Sequence, residues 1–166
     1  MKILLHSDHL KLIEKSGVGR AIYHQKKALE ENNIQFTTDK KDSYDIIHIN
    51  TVFPSSLYAG RTAKRLGKKV VFHAHSTEED FKNSFIGSNL FAPLFKKWIV
   101  RCYESGDLII TPTEYSKKLL EGYGIKKTIV CISNGIDINY FTKSKEDRQA
   151  FREKYQFNET DKVIIS

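Results

Sequence analysis

The sequence predicts an α/β fold with a doubly wound, mostly parallel sheet. Short apolar, β-branched segments alternate along the chain with segments whose apolar residues recur at the helical period. Such alternation indicates parallel strands joined by right-handed helical crossovers. The dipeptide Asn134-Gly135 often marks a hairpin, but no matching return strand follows it, which also favours a parallel sheet. With 166 residues, 40% of them hydrophobic, the chain is long enough to bury a core as one domain.

The first predicted unit is a strand, a glycine loop and a helix. The strand covers residues 2–7, the loop ends in residues 17–20 (Gly-Val-Gly-Arg), and the helix runs over residues 18–29. Free amides at a helix N-terminus, next to residues without a β-carbon, can bind a phosphate or diphosphate. The full dinucleotide-binding pattern would need glycine in place of Ile22. A phosphate site and a tight turn without a ligand therefore both remain open.

The remaining elements alternate in the same way. We expect strands over residues 35–38, 45–50, 70–72, 107–113 and 128–133, and helices beginning at Pro54, near Pro93 and at Thr113. Pro93 fits the first turn of its helix, where the missing N–H has no cost. A short helix over residues 146–155 precedes a further strand that begins at Lys162. We therefore expect one domain over residues 1–160, with residues 161–166 starting a missing C-terminal domain.

The strand over residues 70–72 leads directly into a polar segment, His73-Ala74-His75-Ser76-Thr77-Glu78-Glu79-Asp80-Phe81. Ligands of open α/β sheets bind at the carboxyl ends of the strands. His73 and His75 are two positions apart, so on an extended strand they share one face. The segment fits either a ligand site or two satisfied polar histidines followed by a helix cap.

Residues 85–103 combine aromatic and basic side chains. In the helix near Pro93 we expect one side to carry Phe91, Leu94, Phe95, Trp98 and Cys102, and the other to carry Lys96, Lys97, Arg101 and Glu104. This segment fits either a core helix packed on the sheet or a surface that enters an anionic bilayer. In the second case the contacts with the membrane are Phe91, Phe95, Lys96, Lys97, Trp98 and Arg101.

The net charge and the composition limit the classes of molecule that this protein could bind and the places where it could be located. A net charge of +7 favours anionic partners, but no motif that reads nucleic acid accompanies the lysine pairs. No window has the roughly 18 apolar residues of a membrane span, and the N-terminus does not fit a signal peptide, so we expect a cytoplasmic protein. Cys102 and Cys131 stand alone, and no ligand set has metal-site spacing, so neither a disulfide nor a metal is predicted.

Four stretches, taken together, resemble the N-terminal half of the retaining GT-B glycosyltransferases of family four. They are residues 17–20, residues 72–81, residues 110–116, and residues 132–137 with Phe141. Within that family, a histidine and a hydroxyl residue followed by Glu-Asp-aromatic resembles enzymes that glucosylate diacylglycerol. Here that pattern selects His75. The sequence of residues 75–89 is most similar to bacterial enzymes that make glucosyl-diacylglycerol, the glycolipid anchor of lipoteichoic acid.

The resemblance implies two Rossmann-like domains that face a cleft. The N-terminal one binds the acceptor, and the C-terminal one binds the nucleotide sugar through a Glu-x7-Glu motif that this sequence lacks. The implied reaction moves glucose, with retention, from a UDP-sugar to diacylglycerol or glucosyl-diacylglycerol without a metal or other cofactor. The implied location is the inner face of the cell membrane, as a peripheral protein on an anionic surface. This chain alone should be inactive.

The resemblance also implies a role for particular residues. His75 lies beside the reacting sugar as the catalytic residue. The donor diphosphate contacts Gly17, Val18, Gly19, Arg20, Asn134 and Gly135. The acceptor contacts Ser76, Glu79, Asp80 and Glu114, although Glu79 and Asp80 could equally cap the following helix. Two alternatives stay open for the whole chain: the same fold acting on a soluble or other cell-envelope acceptor, and a non-catalytic nucleotide-binding or partner module.

Overall fold

The computed structural model describes residues 1–8, 13–138 and 144–164. Within this part the chain divides into two compact units, Met1–Gly135 and Ile136–Ser166. The predicted domain over residues 1–160 stays a prediction. Phe141 and the last two residues of the predicted terminal strand, 165 and 166, lie outside the described residues.

Six parallel strands form the sheet of the larger unit. They are β1 (Lys2–His6), β2 (Gln35–Thr37), β3 (Ile46–Ile49), β4 (Lys69–His73), β5 (Leu108–Thr111) and β6 (Ile129–Cys131). The spatial order is β2-β1-β3-β4-β5-β6, and every neighbouring pair is parallel. The predicted α/β class is confirmed. The strand order reverses between β1 and β3, and ligands of such sheets bind at the carboxyl ends of the strands near this point.

Five helices alternate with these strands. They are α1 (Gly17–Glu31), α2 (Pro54–Arg65), α3 (Glu78–Phe81), α4 (Ser88–Glu104) and α5 (Glu114–Gly122). The main core joins one face of the sheet to α2, α4 and α5, and its fully buried members include Ile49, Phe72, Ile99, Tyr103, Ile109 and Leu120. Alternate strand residues point to this face, which is why β3 contributes Ile47 and Ile49 and β4 contributes Val70 and Phe72 to the core.

Side-chain hydrogen bonds cap the starts of two helices, α5 and a helix of the smaller unit. Thr113 Oγ1 accepts from the Ser116 N–H at the start of α5, and Gly124 follows its end with φ of +81°. In the smaller unit, Ser144 and Asp147 form a capping box at the start of α6 (Lys145–Lys154). The predicted short helix over residues 146–155 is confirmed there.

The glycine segment differs from the prediction. Gly17 and Gly19 lie in the first turn of α1, whose N-cap is Ser16, rather than in a loop before it. A β-carbon on Gly19 would lie 2.3 Å from the Ile13 carbonyl oxygen, whereas one on Gly17 would meet nothing within 4 Å. Gly19 is therefore required by the close approach of the backbone, and Gly17 is not.

The prediction that Pro93 lies in the first turn of its helix is wrong. α4 begins at Ser88, so Pro93 lies inside the helix. Two features start the helix earlier. Gly87 is left-handed at the N-cap with φ of +86°, and the Asn89 side chain bonds the backbone N–H and the side chain of Asn83. Proline inside the helix leaves the Asn89 carbonyl without its usual N–H partner.

The predicted strand from Lys162 is not formed in residues 162–164, the part of it that the structure describes. A strand is stabilised by hydrogen bonds to a neighbouring strand. No neighbouring strand is paired with these residues in the described part of the chain.

Candidate active site

Three histidine rings stack at the carboxyl ends of β3 and β4. His48 lies on β3, His73 ends β4, and His75 follows two residues later. The His73 and His75 rings are 4.2 Å apart at 9°, and the His48 and His73 rings are 5.4 Å apart at 2°. The prediction that His73 and His75 share one face is confirmed, and His48 joins the same stack.

Two amide side chains, the buried Asn50 and the half-buried Gln25, connect this stack to α1. The Gln25 side-chain N–H2 donates to Asn50 Oδ1 over 2.8 Å and reaches His73 Nδ1 at 2.9 Å. His75 Nε2 lies 3.2 Å from the same Asn50 oxygen. The histidines are therefore held by residues from an adjacent strand end and from the helix above it.

The histidine rings are neutral at physiological pH. Burial, with a smaller effect of His75, lowers the pKa of His48 to about 4, and burial lowers the pKa of His75 to about 4. Burial, together with both neighbouring histidines, lowers the pKa of His73 to about 2. At pH 7 these rings act as neutral hydrogen-bonding groups, not as cations.

Acidification should destabilise the fold through these rings. Their folded-state pKa values lie below the unfolded value of 6.5, so between about pH 4 and 6.5 the unfolded chain binds more protons. Their contribution to stability is complete above pH 6.5 and is lost as the pH falls through this window. Moving from pH 7 to pH 5 should lower the free energy of unfolding by about 2 kcal/mol for each ring, measured by urea unfolding. His75→Gln should reduce this pH dependence, and an unchanged pH dependence would contradict the neutral stack.

The acids after His75 are engaged within the fold. Asp80 forms a capping box with Thr77, whose Oγ1 donates to the Asp80 carboxylate over 2.7 Å. Glu79 accepts a hydrogen bond from the Tyr123 hydroxyl. Glu78 pairs with Lys96 of α4 at 3.2 Å. The capping alternative is therefore confirmed for Asp80, and contacts of Glu79 and Asp80 with an acceptor remain predictions.

The other predicted site residues also follow the carboxyl ends of strands. Ser76 comes directly after His75, and its carbonyl accepts from the Tyr103 hydroxyl at 3.0 Å. Glu114 begins α5 after β5. Asn134 and Gly135 follow β6, and the Gly135 N–H donates to Ser133 Oγ. Since the strands are parallel, all these segments meet the same edge of the sheet as the N-terminus of α1.

α4 presents a half-open groove of about 560 Å³ next to this edge. Its lining residues are Phe81, Phe91, Leu94, Phe95, Lys97, Trp98 and Arg101. Phe91 and Leu94 are 54% and 66% exposed. The groove therefore offers apolar and basic side chains on the same surface.

The predicted division of this helix into two sides is wrong in part. Phe91 and Leu94 share the groove with Lys97 and Arg101, while the buried side of α4 is formed by Ala92, Ile99, Cys102 and Tyr103. Positions 94, 97, 98 and 101 follow the i, i+3, i+4, i+7 spacing of one helix face, which explains the grouping.

Lys96, also predicted to contact a membrane, instead faces α3 and α5. Its ammonium pairs with Glu78 and lies 4.3 Å from the centre of the Tyr123 ring. Among the groove residues, Phe95 stacks on Phe81 at 4.3 Å, and the Trp98 indole N–H donates to the Val52 carbonyl. Phe95 and Trp98 therefore line the groove and also make contacts within the fold. Lys96 lies outside the groove.

A comparison with known families assigns the chain. The family model described as Glycosyltransferase Family 4 matches residues 37–140. This chain belongs to glycosyltransferase family 4. The family predicted from the four stretches is confirmed.

The chain is also 42% identical, over 168 aligned positions, to the processive diacylglycerol alpha-glucosyltransferase of Acholeplasma laidlawii. The alignment covers 99% of this chain and 49% of that enzyme. The chain thus spans about half the length of this relative.

Several residues of this family 4 domain that contact the histidines could not be predicted from the sequence. His48, Gln25 and Asn50 carry no local signal, since each meets His73 or His75 only through contacts between distant segments. A second buried network surrounds Asp8 at the end of β1. Its carboxylate is bonded by Lys40 at 2.8 Å and by Ser56 at 3.0 Å. Burial raises the pKa of Asp8, but these hydrogen bonds hold it well below its usual range.

The structure also bears on metal ions and membrane spans. Within residues 1–8, 13–138 and 144–164, no group of three His, Cys, Asp or Glu side chains is arranged to hold a metal ion. Of the helices that the structure describes, none combines the length and the apolar character that crossing a membrane requires.

Proposed function

We propose that this chain is the acceptor-side half of a retaining glucosyltransferase that moves glucose from a UDP-sugar to diacylglycerol or glucosyl-diacylglycerol. The observation that carries the proposal is the 42% identity, along 99% of the chain, to an enzyme named for diacylglycerol glucosylation. The apolar and basic groove on α4 supports a lipid acceptor independently, because a soluble acceptor needs no such surface.

The histidine stack suits the reacting sugar. His75 is neutral, half-buried and held at the carboxyl end of β4, where a ligand of this fold binds. In the proposed reaction an acceptor hydroxyl oxygen forms a bond to the anomeric carbon while the bond from that carbon to the diphosphate oxygen breaks, and the hydroxyl proton passes to the departing diphosphate. His75 orients the sugar by hydrogen bonding and does not form a covalent bond to it.

The first turn of α1 suits the departing diphosphate. The partial positive charge of a helix N-terminus stabilises an anion, and the absence of a β-carbon at Gly17 lets the anion approach closely. The Gly19 N–H already donates to Ser16 Oγ at 3.3 Å, so Gly17 and Val18 are the amides that we assign to the phosphate. Arg20, Asn134 and Gly135 complete the proposed donor side.

Alanine substitutions at Gly17 and Gly19 should distinguish an effect on donor binding from an effect on folding. Gly17→Ala meets open space, so we expect the melting temperature to change by less than a few degrees while KM for the UDP-sugar rises several-fold. Gly19→Ala would press on the Ile13 carbonyl oxygen, and we expect it to destabilise the fold by about 1–3 kcal/mol. Thermal melts and donor kinetics of both variants test this. A Gly17→Ala variant with wild-type KM would remove the phosphate role.

The lipid acceptor should lie between the histidines and α4. Phe91, Leu94 and Trp98 face the acyl region, and Lys97 and Arg101 face anionic headgroups. Ser76 and Glu114 remain the proposed contacts with the acceptor hydroxyls. Glu79 and Asp80 are also proposed contacts with the acceptor, through the carboxylate oxygens that do not bond Tyr123 and Thr77.

Because this chain aligns with 49% of its relative, we assign the donor nucleotide to the other half of such an enzyme and expect these 166 residues alone not to turn over. An acceptor panel given to the full-length protein tests the function. Diacylglycerol, glucosyl-diacylglycerol and soluble sugars are each supplied with UDP-glucose and with a panel of other UDP-sugars, and products are separated by chromatography. Glucosylated lipid supports the proposal. Glucosylation of soluble sugars alone would identify the soluble-acceptor alternative, and no transfer from any UDP-sugar would identify a binding module.

A further inference from the structure

We propose that Asn50, oriented by Gln25, is a positioning residue that fixes the tautomer of His75. The inference rests on the proposed function of His75 as the group beside the reacting sugar. It adds that His75 receives a hydrogen bond from a substrate hydroxyl through Nδ1, and does not donate one.

The hydrogen-bond chain determines the tautomer. Asn50 Oδ1 accepts from the Gln25 side-chain N–H2 at 2.8 Å. An amide oxygen has no hydrogen to give, so His75 Nε2, 3.2 Å from the same oxygen, must carry the proton and donate it. A neutral imidazole has one N–H, so Nδ1 of His75 keeps its lone pair and is an acceptor.

Asn50 is itself held rigidly. It is 2% exposed, and its backbone N–H donates to the His6 carbonyl at the end of β1. The second N–H of Gln25 reaches His73 Nδ1 at 2.9 Å, and His73 stacks on His75. The ring of His75 is thus held at its edge by an amide and on its face by another imidazole.

Two polar atoms of this network have no partner within the described residues. They are Asn50 Nδ2 and Gln25 Oε1, and both are buried. The hydrogen bonds that the two amides do make run to each other and to His73 and His75. The contacts of these amides are therefore directed at the histidines.

Two substitutions at position 50 in the full-length protein test the proposal. Asn50→Leu removes the acceptor oxygen, and we expect kcat to fall about tenfold or more with KM for the donor little changed. Asn50→Asp keeps an oxygen and adds a negative charge beside Nε2. The titratable groups that the described structure places beside His75 are His73, which stacks on it, and His48, whose pKa it lowers, so a carboxylate at position 50 should raise the pKa of His75. The acid limb of the kcat/KM profile should then move up by about one pH unit or more, with activity recovered above it.

A spectroscopic readout separates this proposal from the proposed function. Nitrogen-15 NMR of the histidine side chains should show His75 as the Nε2–H tautomer in wild type and as a mixture in Asn50→Leu. Gln25→Leu provides a second variant if Asn50→Leu does not fold. An unchanged tautomer in these variants, or an unmoved acid limb in Asn50→Asp, would overturn the positioning role. A tautomer change together with a fully active His75→Ala variant would instead keep the positioning role and reject the function of His75.

Discussion

Replacing His75 by alanine in the full-length protein should lower kcat for glucosyl transfer by about a hundredfold or more. The ring is placed at the carboxyl end of β4 by stacking on His73 and by a hydrogen bond to Asn50, so its position needs no reorganisation when the substrate binds. Loss of one preorganised hydrogen-bonding group at a reacting centre typically has an effect of this size. Steady-state kinetics with UDP-glucose and diacylglycerol vesicles measure it.

The matched control is His24→Ala, which removes a histidine of α1 that is outside the stack. We expect this variant to retain wild-type kcat. Urea unfolding should confirm that both variants are folded under assay conditions. Wild-type kcat in a folded His75→Ala variant would reject the assignment of His75.

The double variant Lys97→Gln and Arg101→Gln should bind anionic vesicles about 30-fold more weakly than wild type. Both side chains line the groove with exposed Phe91 and Leu94, and each basic residue near an anionic surface contributes about 1 kcal/mol. Co-flotation with liposomes of graded anionic content measures the partition coefficient. Raising the salt concentration should release the wild-type protein, because exposed charges are screened.

The control for membrane binding is Lys117→Gln with Lys118→Gln on α5. It removes the same charge from a different helix, so it reports the effect of net charge alone. We expect its binding to fall much less than that of the groove variant. Equal losses for the two double variants would show that net charge, and not the groove of α4, determines attachment.

The parts of the fold that sequence could predict are those with a local signal. The apolar, β-branched segments between the helical segments predicted all six described strands. The two-residue spacing of His73 and His75 predicted that their side chains lie on the same face. The capping box of Thr77 and Asp80 also has a local pattern, a hydroxyl residue three positions before an acid. Asp80 was nevertheless left open between a cap and an acceptor contact.

The parts that sequence could not predict depend on contacts between distant segments. Gln25 and His73 are 48 positions apart, and Asn50 and His75 are 25 positions apart, so only the crossovers of the sheet bring them together. The start of α4 depends on the left-handed Gly87 and on the pair of Asn83 and Asn89, which no periodicity reveals. The exposed side of α4 was misassigned because both of its faces carry aromatic or apolar residues.

The anomeric configuration of the lipid product tests the proposed retaining transfer of glucose to diacylglycerol. The full-length protein is incubated with UDP-glucose and diacylglycerol vesicles, and the lipid product is isolated and examined by proton NMR. We expect glucosyl-diacylglycerol with an α-anomeric proton, since retention preserves the configuration of the donor. A β-linked product would contradict retention, and the absence of any glucosylated lipid while a soluble acceptor is glucosylated would contradict the assignment of a lipid acceptor to this half of the enzyme.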